Sequence, residues 1–339
     1  MTTNGPSDAV RPLFLLSLPR AGSTLVQRIL GAHPKISTVA EPWILLPLVY
    51  ARRSRGIRAE YGHRFASVAI SDFAKALDGG PETFDAHLRA FVEGLYRDAA
   101  ENGATYFLDK TPHYLNIVDD VMRLFPDAKF IFLWRNPLAV LASLVDNFRF
   151  KQFEPYAFPN ELFRGPAALA SAFDANRDRA HAVRFEDLVG GNREEHWRGI
   201  FDYLELTWDP EILEQFSATP LRGRFGDPTG IHLYGSISAE PLDKWKQSLR
   251  GGVRRIWATR WLQRVGPEPF EIMGYDPECL LFDIQNVGPA RVDELALDAV
   301  SLAGSAASVL VRKRALRVQD IPPLSITGKL ARRRHFRPK

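Results

Sequence analysis

The stretch Phe14-Leu15-Leu16-Ser17-Leu18-Pro19-Arg20-Ala21-Gly22-Ser23-Thr24-Leu25-Val26-Gln27-Arg28-Ile29-Leu30 decides the fold of this chain. It opens as a short apolar run of the kind that forms a buried parallel strand. Pro19 and Gly22 interrupt the run where a turn is easily made. Apolar residues then recur at helical spacing behind Ser23 and Thr24, which are residue types that favour a helix start. The pattern predicts a strand, a tight turn and a helix.

The turn between these elements, residues 18–24, is called the cradle loop below. A helix start presents free backbone N–H groups and the positive end of the helix dipole, so it favours an anion. Arg20 adds a full positive charge, and Ser23 and Thr24 add hydroxyl donors. The loop is not a Walker A motif, because no Lys precedes the hydroxyl pair. The alternative is a plain turn between a core strand and a core helix, but the order Pro-Arg-x-Gly-Ser-Thr-Leu favours anion binding.

Length and composition bound the class of protein. A chain of 339 residues with 45% hydrophobic residues can form one large domain or two modest ones with a sizeable core. Its single cysteine, Cys279, allows no internal disulfide, which suits a reducing compartment. The apolar run Leu13 to Leu18 is too short for a signal-peptide core, and no early stretch could span a bilayer. We therefore expect a cytoplasmic location.

The net charge of +4 is unevenly distributed. Residues 311–339 hold ten Lys or Arg and one acidic residue, whereas residues 1–310 hold 34 basic and 39 acidic residues. A nucleic-acid-binding domain carries its basic patch on the folded body, so the acidic body argues against nucleic acid as a partner. The basic tail is expected to be a solvated end. A weak contact of this tail with an anionic membrane surface is the second interpretation.

Two charged side chains follow predicted strands. Lys35 to Ala40 reads as a short strand followed by Glu41, and the strand that begins at Tyr106 is followed by Lys110. Ligands of open α/β folds bind at the carboxyl ends of strands, so both side chains are candidate site residues. We expect the strand before Glu41 to lie next to the strand before the cradle loop. The alternative for Glu41 is a helix-start carboxylate that complements the dipole.

Residues 128–134 form the most apolar run of the chain and are predicted to be the central strand. Arg135 follows this strand, and Ser143 lies two turns along the helix predicted at residues 138–148. A strand that ends in Arg with no acidic residue argues against a Walker B magnesium site.

Later segments leave alternatives open. Residues 148–166 are rich in aromatic residues and form either a lid or packing over the core edge. Residues 235–245 contain Ser238 and Lys244, which either close over an anion or belong to a capped helix with an exposed Lys. Residues 295–311 are predicted to be helical. We place a main domain at residues 1–285 and a C-terminal helical extension with the basic tail at 286–339.

Five motifs together resemble those of sulfotransferases, over roughly residues 12–275. They are Leu18–Leu25, Ala32-His33-Pro34 through Glu41, Leu108–Pro112, Arg135 with Ser143, and Val183–Leu188. The resemblance is to the broad group that includes tyrosylprotein sulfotransferases and many bacterial enzymes. It implies an α/β fold of the P-loop NTPase type, in which helices flank a parallel sheet. It also implies the donor 3′-phosphoadenosine 5′-phosphosulfate (PAPS), used without a metal.

The resemblance further implies residue roles. Those assigned to the 5′-phosphosulfate are Arg20, Ala21, Gly22, Ser23 and Thr24, those assigned to the 3′-phosphate are Arg135 and Ser143, and those of a late donor loop are Ser238 and Lys244. The catalytic residues implied are Glu41 as base, Lys110 as stabiliser of the bridging oxygen, and Arg20. Two positions depart from the pattern: Asn147 replaces a basic residue of some members, and Phe185 replaces an adenine-side Tyr.

The implied reaction is an in-line sulfuryl transfer to a hydroxyl or amine acceptor, with Glu41 as base. His33 and His113, the competing bases, are expected in a helix-ending turn and at a helix start. The acceptor could be a small molecule, a glycan, a lipid or a peptide. The alternatives are a kinase-like phosphotransferase with a P-loop and a non-catalytic nucleotide-binding protein. Absence of the Gly-Lys-[Ser/Thr] signature disfavours the first, and the presence of both Glu41 and Lys110 disfavours the second.

Overall fold

A computed structural model describes residues 10–147, 152–218, 221–223, 236–289 and 294–319 of the chain. Several predicted features therefore lie outside the described residues. They are the start of the aromatic segment (residues 148–151), the first residue of the late loop (Gly235) and the basic tail from Asp320 onward.

Five parallel strands form one sheet. Its strands are β1 (Arg11–Ser17), β2 (Ile36–Thr38), β3 (Tyr106–Asp109), β4 (Lys129–Trp134) and β5 (Ala180–Arg184). Their order across the sheet is β2-β3-β1-β4-β5. The register pairs Phe14 of β1 with Asp109 on one side and with Phe130 on the other. The predicted parallel α/β fold is confirmed.

The strand order corrects two predictions. β1 is the central strand, and β4 lies beside it. β2, which leads to Glu41, lies against β3 and does not neighbour β1. Strand order in a parallel sheet depends on where long crossover connections return, which local residue patterns do not encode. The neighbours of the cradle strand are thus the strands that precede Lys110 and Arg135.

Helices cover both faces of the sheet. They are α1 (Ser23–Gly31), α2 (Leu45–Tyr50), α3 (His63–Ala76), α4 (Gly80–Ala99), α5 (Val118–Leu124), α6 (Pro137–Asn147), α7 (Gly165–Asp174), α8 (Phe185–Val189), α9 (Arg193–Tyr203), α10 (Ile212–Gln215), α11 (Lys244–Ser248), α12 (Gly252–Val265), α13 (Glu268–Ile272), α14 (Pro277–Gln285) and α15 (Leu295–Gln319). Between β3 and β4 the chain forms a 3₁₀ turn, Pro112–Asn116, followed by α5. Ile117 separates the two with a non-helical φ of −138°.

The sheet divides the core into two apolar layers. Phe14 and Leu16 of β1 face the layer formed with α4 to α7 and α12, whereas Leu13 and Leu15 face the layer formed with α1, α9 and α10. This alternation is the period of two of a strand, and burial on both faces explains why β1 is continuously apolar. The core therefore holds β1 rigidly, and with it the loop at its carboxyl end.

The aromatic segment packs at the core edge where it is described. Phe153 is fully buried, and its ring lies 5.7 Å from that of Trp257 at 86°. Tyr156 and Phe163 also contact Trp257 edge to face. Edge packing, and not a lid, accounts for these three side chains. Helix α15 packs against the neighbouring turn Pro155–Ala157 and against α12.

Candidate active site

Two residues of the cradle loop, Gly22 and Arg20, have a left-handed backbone conformation. Gly22 has φ +93°, a left-handed conformation that suits glycine, and Arg20 also has a positive φ, +69°. A Cβ on Gly22 would lie 2.3 Å from ring carbons of Phe185. Ser23 and Thr24 open α1, whose first N–H groups have no partner within the helix. The loop therefore places backbone N–H groups of the α1 N-terminus at the end of β1.

Two further residues predicted for the donor site meet at this loop. The Arg20 Nε donates to the Ser143 Oγ of α6 at 3.1 Å. Arg135, at the end of β4, donates from Nη1 to the Arg20 carbonyl at 2.9 Å. The structure thus brings Arg20 together with Arg135 and Ser143, which lie 115 and 123 positions later in the sequence. Asn147 donates from Nδ2 to the same Ser143 hydroxyl at 3.2 Å, so this departure from the family pattern contacts the site as a neutral group.

The ring of Phe185 lies beneath this arrangement. The Arg135 guanidinium is centred 4.7 Å from the ring centroid, which is a cation–π distance. Phe185 is 4% exposed, so its ring packs under Gly22 and Arg135 and offers little surface to a nucleotide base. Glu186 follows it and accepts from the Asn136 N–H at 2.8 Å, while Tyr275 donates to Glu186 at 2.7 Å. These bonds fasten the ends of β4 and β5 together and hold Arg135 in place.

Lys110 and Glu41 form an ion pair on the other side of the cradle strand. The Lys110 Nζ lies 2.8 Å from the Glu41 Oε1, and Lys110 is 1% exposed. Attraction between charges is stronger in such a water-poor place than at the surface. Because β3 neighbours β1, the pair lies at the same sheet edge as the cradle loop. The strand that precedes Glu41, β2, lies one position further from β1 than β3 does, and the ion pair with Lys110 links Glu41 to the end of β3.

Trp43 is a residue of this site that the sequence analysis left without a role. Its indole Nε1 donates to the Glu41 Oε2 at 3.0 Å, so the two oxygens of Glu41 have different partners. Its φ is +58°, an uncommon backbone conformation for a bulky residue and one that clusters at functional sites. Its ring lies 4.6 Å from that of His113, so Trp43 contacts both Glu41 and His113. The only sequence signal was the position of Trp43 directly after Glu41-Pro42.

A buried hydroxyl network underlies Lys110. Asp109 is fully buried and accepts hydrogen bonds from Tyr96 at 2.6 Å, Tyr114 at 2.9 Å and Thr111 at 2.8 Å. Burial raises the pKa of Asp109 to about 6, although the three hydroxyl donors and Lys110 oppose the shift. Burial likewise raises the pKa of Tyr96 and Tyr114. The network ties α4 and the 3₁₀ turn to the end of β3 and so fixes the backbone of Lys110.

The late loop, described from Ser236 onward, lies beside the cradle loop. The Pro241 carbonyl accepts from the Arg135 Nη2 at 3.2 Å, which fastens the segment next to the cradle. Ser238 accepts from the Glu240 N–H at 3.1 Å, and the exposed Lys244 pairs with Glu240 at 2.9 Å. Ser238 and Lys244 both bond to Glu240.

The fold and this site define a class of protein, namely a parallel α/β protein with a cationic loop at the end of its central strand. The profile of the Sulfotransferase family matches residues 12–210, more than half of the chain. The chain belongs to the sulfotransferase family.

The chain is also similar to several individual proteins. Nodulation protein NoeE of Sinorhizobium fredii is 35% identical over 242 residues, which cover 68% of this chain and 53% of that protein. Protein-tyrosine sulfotransferase 2 of Gallus gallus is 23% identical over 76% of this chain and 70% of its own length. The sulfotransferase domain of the curacin biosynthetic pathway aligns at a TM-score of 0.46 with 23% identity, over 71% of this chain and 92% of that domain. The chain spans about half the length of NoeE.

One further finding concerns membranes. Within the part of the chain that the structure describes, no helix combines the length and apolarity needed to cross a bilayer.

Proposed function

We propose that this protein transfers a sulfuryl group from PAPS to a hydroxyl or amine acceptor by in-line displacement. The observation that carries the proposal is the convergence of cations at the end of β1. Arg20 lies in the cradle loop, Lys110 follows one neighbouring strand, and Arg135 follows the other. A polyanion bound there would meet fixed charges from three strands.

The residues around the cradle loop suit the two anionic ends of the donor. The cradle residues Arg20 to Thr24 would hold the 5′-phosphosulfate, because the left-handed Gly22 and the start of α1 direct N–H groups there. Arg135 and Ser143 would hold the 3′-phosphate through charge-assisted hydrogen bonds. Both already contact Arg20, so the two anion subsites adjoin. Ser238 and Lys244 would join the donor only if they left Glu240.

The chemistry follows from charge and proton balance. The donor supplies an activated sulfur–oxygen bond, and that bond breaks as the acceptor oxygen or nitrogen bonds to sulfur. Glu41 would take the acceptor's proton. Lys110 and Arg20 would stabilise the negative charge that develops on the departing phosphate oxygen. Since Lys110 is buried against Glu41, its ammonium would be shared between the base and the leaving oxygen, which couples the two roles.

The alternatives have less support. A kinase-like phosphotransferase would lack the Lys of a Walker A loop, and β4 ends in Arg135 instead of an acidic metal ligand. A non-catalytic binding protein has no need for the buried Lys110–Glu41 pair, which is expensive to desolvate. Neither alternative is favoured by a specific observation.

The test of the catalytic step is Glu41→Gln, which keeps the shape of the side chain and removes its basicity. Transfer of labelled sulfate from PAPS should fall about 10²–10⁴-fold in kcat, whereas calorimetry should show donor-product affinity nearly unchanged. Glu161→Gln is the matched control, because the Glu161 carboxylate lies 3.8 Å from the His113 ring, whereas the Glu41 carboxylate pairs with Lys110. Near-full turnover of Glu41→Gln would place the base elsewhere.

The donor assignment has its own test. Adenosine 3′,5′-bisphosphate should bind without added metal and more tightly than ADP, by about 10–100-fold if the 3′-phosphate contact is worth about 1.5–3 kcal/mol. Arg135→Gln should remove this preference. Equal affinity for both nucleotides in the unsubstituted protein, or a requirement for Mg²⁺, would contradict the assignment.

The acceptor and the location are part of the proposal. A screen of sugar, lipid, phenol and peptide acceptors with labelled donor would identify the acceptor class. We propose a cytoplasmic location, which the lone Cys279 supports because reducing compartments select against disulfides. Cell fractionation would test it.

A further inference from the structure

Helix α15 presents its polar face to the protein and its apolar face outward. The most buried side chains of the helix are Asp298, Ser301 and Ser305, which are 1%, 9% and 4% exposed, and Leu302 packs partly buried against the core beside them. The exposed positions, called the outer face below, are Ala296, Leu297, Ala299, Val300, Ala303, Gly304 and Ala307. Leu297 is 53% exposed and Val300 is 71% exposed. This polarity is the reverse of that of an ordinary surface helix, which buries its apolar side.

Specific bonds set this orientation. The Asp298 carboxylate accepts from the Arg254 Nε at 2.8 Å and from its Nη2 at 2.9 Å, in a two-pronged pair that is almost fully buried. Seven residues further along, Ser305 accepts from the Tyr156 N–H at 3.1 Å. Asp298 is also the only charged residue between 295 and 311. Rotating the helix to bury its outer face would leave Arg254 and Asp298 without each other, so the outward apolar face is built in.

The apolar surface extends beyond α15. Leu295, at the start of the helix, is 47% exposed and lies over the first turn of α12, where its Cδ1 would be 3.5 Å from a Cβ on Gly252. Ile256 lies one turn further along α12 on the same side and is 56% exposed. Large exposed apolar patches of this kind mark contact sites.

Charge indicates what covers the outer face. The same helix continues through Arg312, Lys313, Arg314 and Arg317, and residues 311–339 together carry a net charge of +9. A second copy of this chain would bring a second set of these cations to the same place, where they would repel. An anionic bilayer instead attracts juxtaposed Lys and Arg and accommodates an apolar helix face at its interface.

We propose that the outer face of α15 docks on an anionic lipid bilayer, with the basic residues from Arg312 onward as its electrostatic anchor. The helix lies on the surface and does not cross it. This inference is independent of the sulfotransferase reaction.

The test is flotation of the full chain with vesicles of phosphatidylcholine alone or with about 30% phosphatidylserine. We expect binding to the anionic vesicles only, weakened by salt. The double variant Leu297→Glu, Val300→Glu should lower the bound-to-free ratio about tenfold, and neutralising Arg312, Lys313, Arg314 and Arg317 to Gln should lower it about a hundredfold or more, at about fivefold per charge. Phe73→Glu is the matched control, since Phe73 is an exposed apolar residue of α3, 62% exposed, and should leave binding unchanged.

Each contrary outcome overturns the proposal. If the unsubstituted chain does not float at low salt, or binds neutral vesicles equally well, an anionic bilayer is not the partner of the outer face. Equal losses in Phe73→Glu and in the double variant remove the role of α15. Dimers in light scattering that dissociate in the double variant, without flotation, assign the outer face to a second copy. Unchanged thermal unfolding of the variants excludes a folding defect as the cause of lost binding.

Discussion

Replacing Gly22 with Ala tests whether the cradle loop depends on glycine for two separate reasons. The first is its left-handed backbone, φ +93°, which costs an L-residue about 1–2 kcal/mol. The second is contact, because the new Cβ would lie 2.3 Å from two carbons of the Phe185 ring. Phe185 is buried and cannot swing into solvent, so overpacking should add about 1–3 kcal/mol.

The chain provides a matched control that separates these effects. Gly103 also has a left-handed backbone, φ +83°, but a Cβ there meets no atom within 4 Å. Gly103→Ala should therefore show the backbone cost alone. The difference in unfolding free energy between the two variants, measured by urea denaturation, should be about 1–3 kcal/mol and reports the Phe185 contact.

The same substitution should reach the donor site. Displacing the Phe185 ring displaces the Arg135 guanidinium above it, which also holds the Arg20 carbonyl. In calorimetry, Gly22→Ala should lower the affinity for adenosine 3′,5′-bisphosphate by at least about tenfold, and Gly103→Ala should leave it unchanged. Equal destabilisation by both variants, together with unchanged nucleotide affinity, would refute the reasoning.

Two further predictions concern the neighbourhood of Lys110. The pKa of Asp109 is about 6 in the folded protein and 3.8 in an ordinary aspartate, so the folded state holds this proton more tightly than the unfolded state. The protonated group therefore stabilises the fold fully below about pH 4. This stabilisation is lost as the pH rises to about 6, which lowers the free energy of unfolding by about 3 kcal/mol. Asp109→Asn should flatten this part of the plot of urea-derived unfolding free energy against pH, and parallel slopes for both proteins would contradict the assignment. Trp43→Phe keeps a ring against His113 and removes the indole donor to Glu41, so kcat for sulfate transfer should fall about tenfold with donor affinity unchanged. If nucleotide affinity falls and kcat does not, Trp43 supports the fold and not the base.

The elements that carry the site are those the sequence predicts best. β1, β3 and β4 are short apolar runs that end in Pro, Gly or a charged residue, so their carboxyl ends and the residues Arg20, Lys110 and Arg135 could be placed at one edge without a structure. Helix α1 follows directly from the hydroxyl pair. The family resemblance assigns Arg20 to one anionic end of the donor and Arg135 and Ser143 to the other, but it did not predict that Arg20 would bond to both of them, as it does in the structure.

The features that were missed depend on contacts between distant parts of the chain. The local sequence pattern does not show whether β2 lies beside β1 or on the far side of β3. The prediction that the strand before Glu41 neighbours the cradle strand was therefore wrong. The hydroxyl network could not be seen because Tyr96 comes from a helix far from Asp109. The reversed faces of α15 were hidden for the same reason, since Asp298 reads as a solvated charge until Arg254 is placed opposite it.

The central position of β1 has a consequence for how the chain folds. Both of its neighbours are synthesised about a hundred residues later, since Arg11 pairs with Tyr106 and Ser17 with Leu133. Contacts between residues so far apart form slowly, because closing the intervening loops costs entropy before any pairing compensates for it. An apolar strand that is synthesised before both of its neighbours therefore waits with both edges unpaired. We expect nascent chains that end before β4 to be bound by chaperones or to aggregate, and the cradle to form late and all at once.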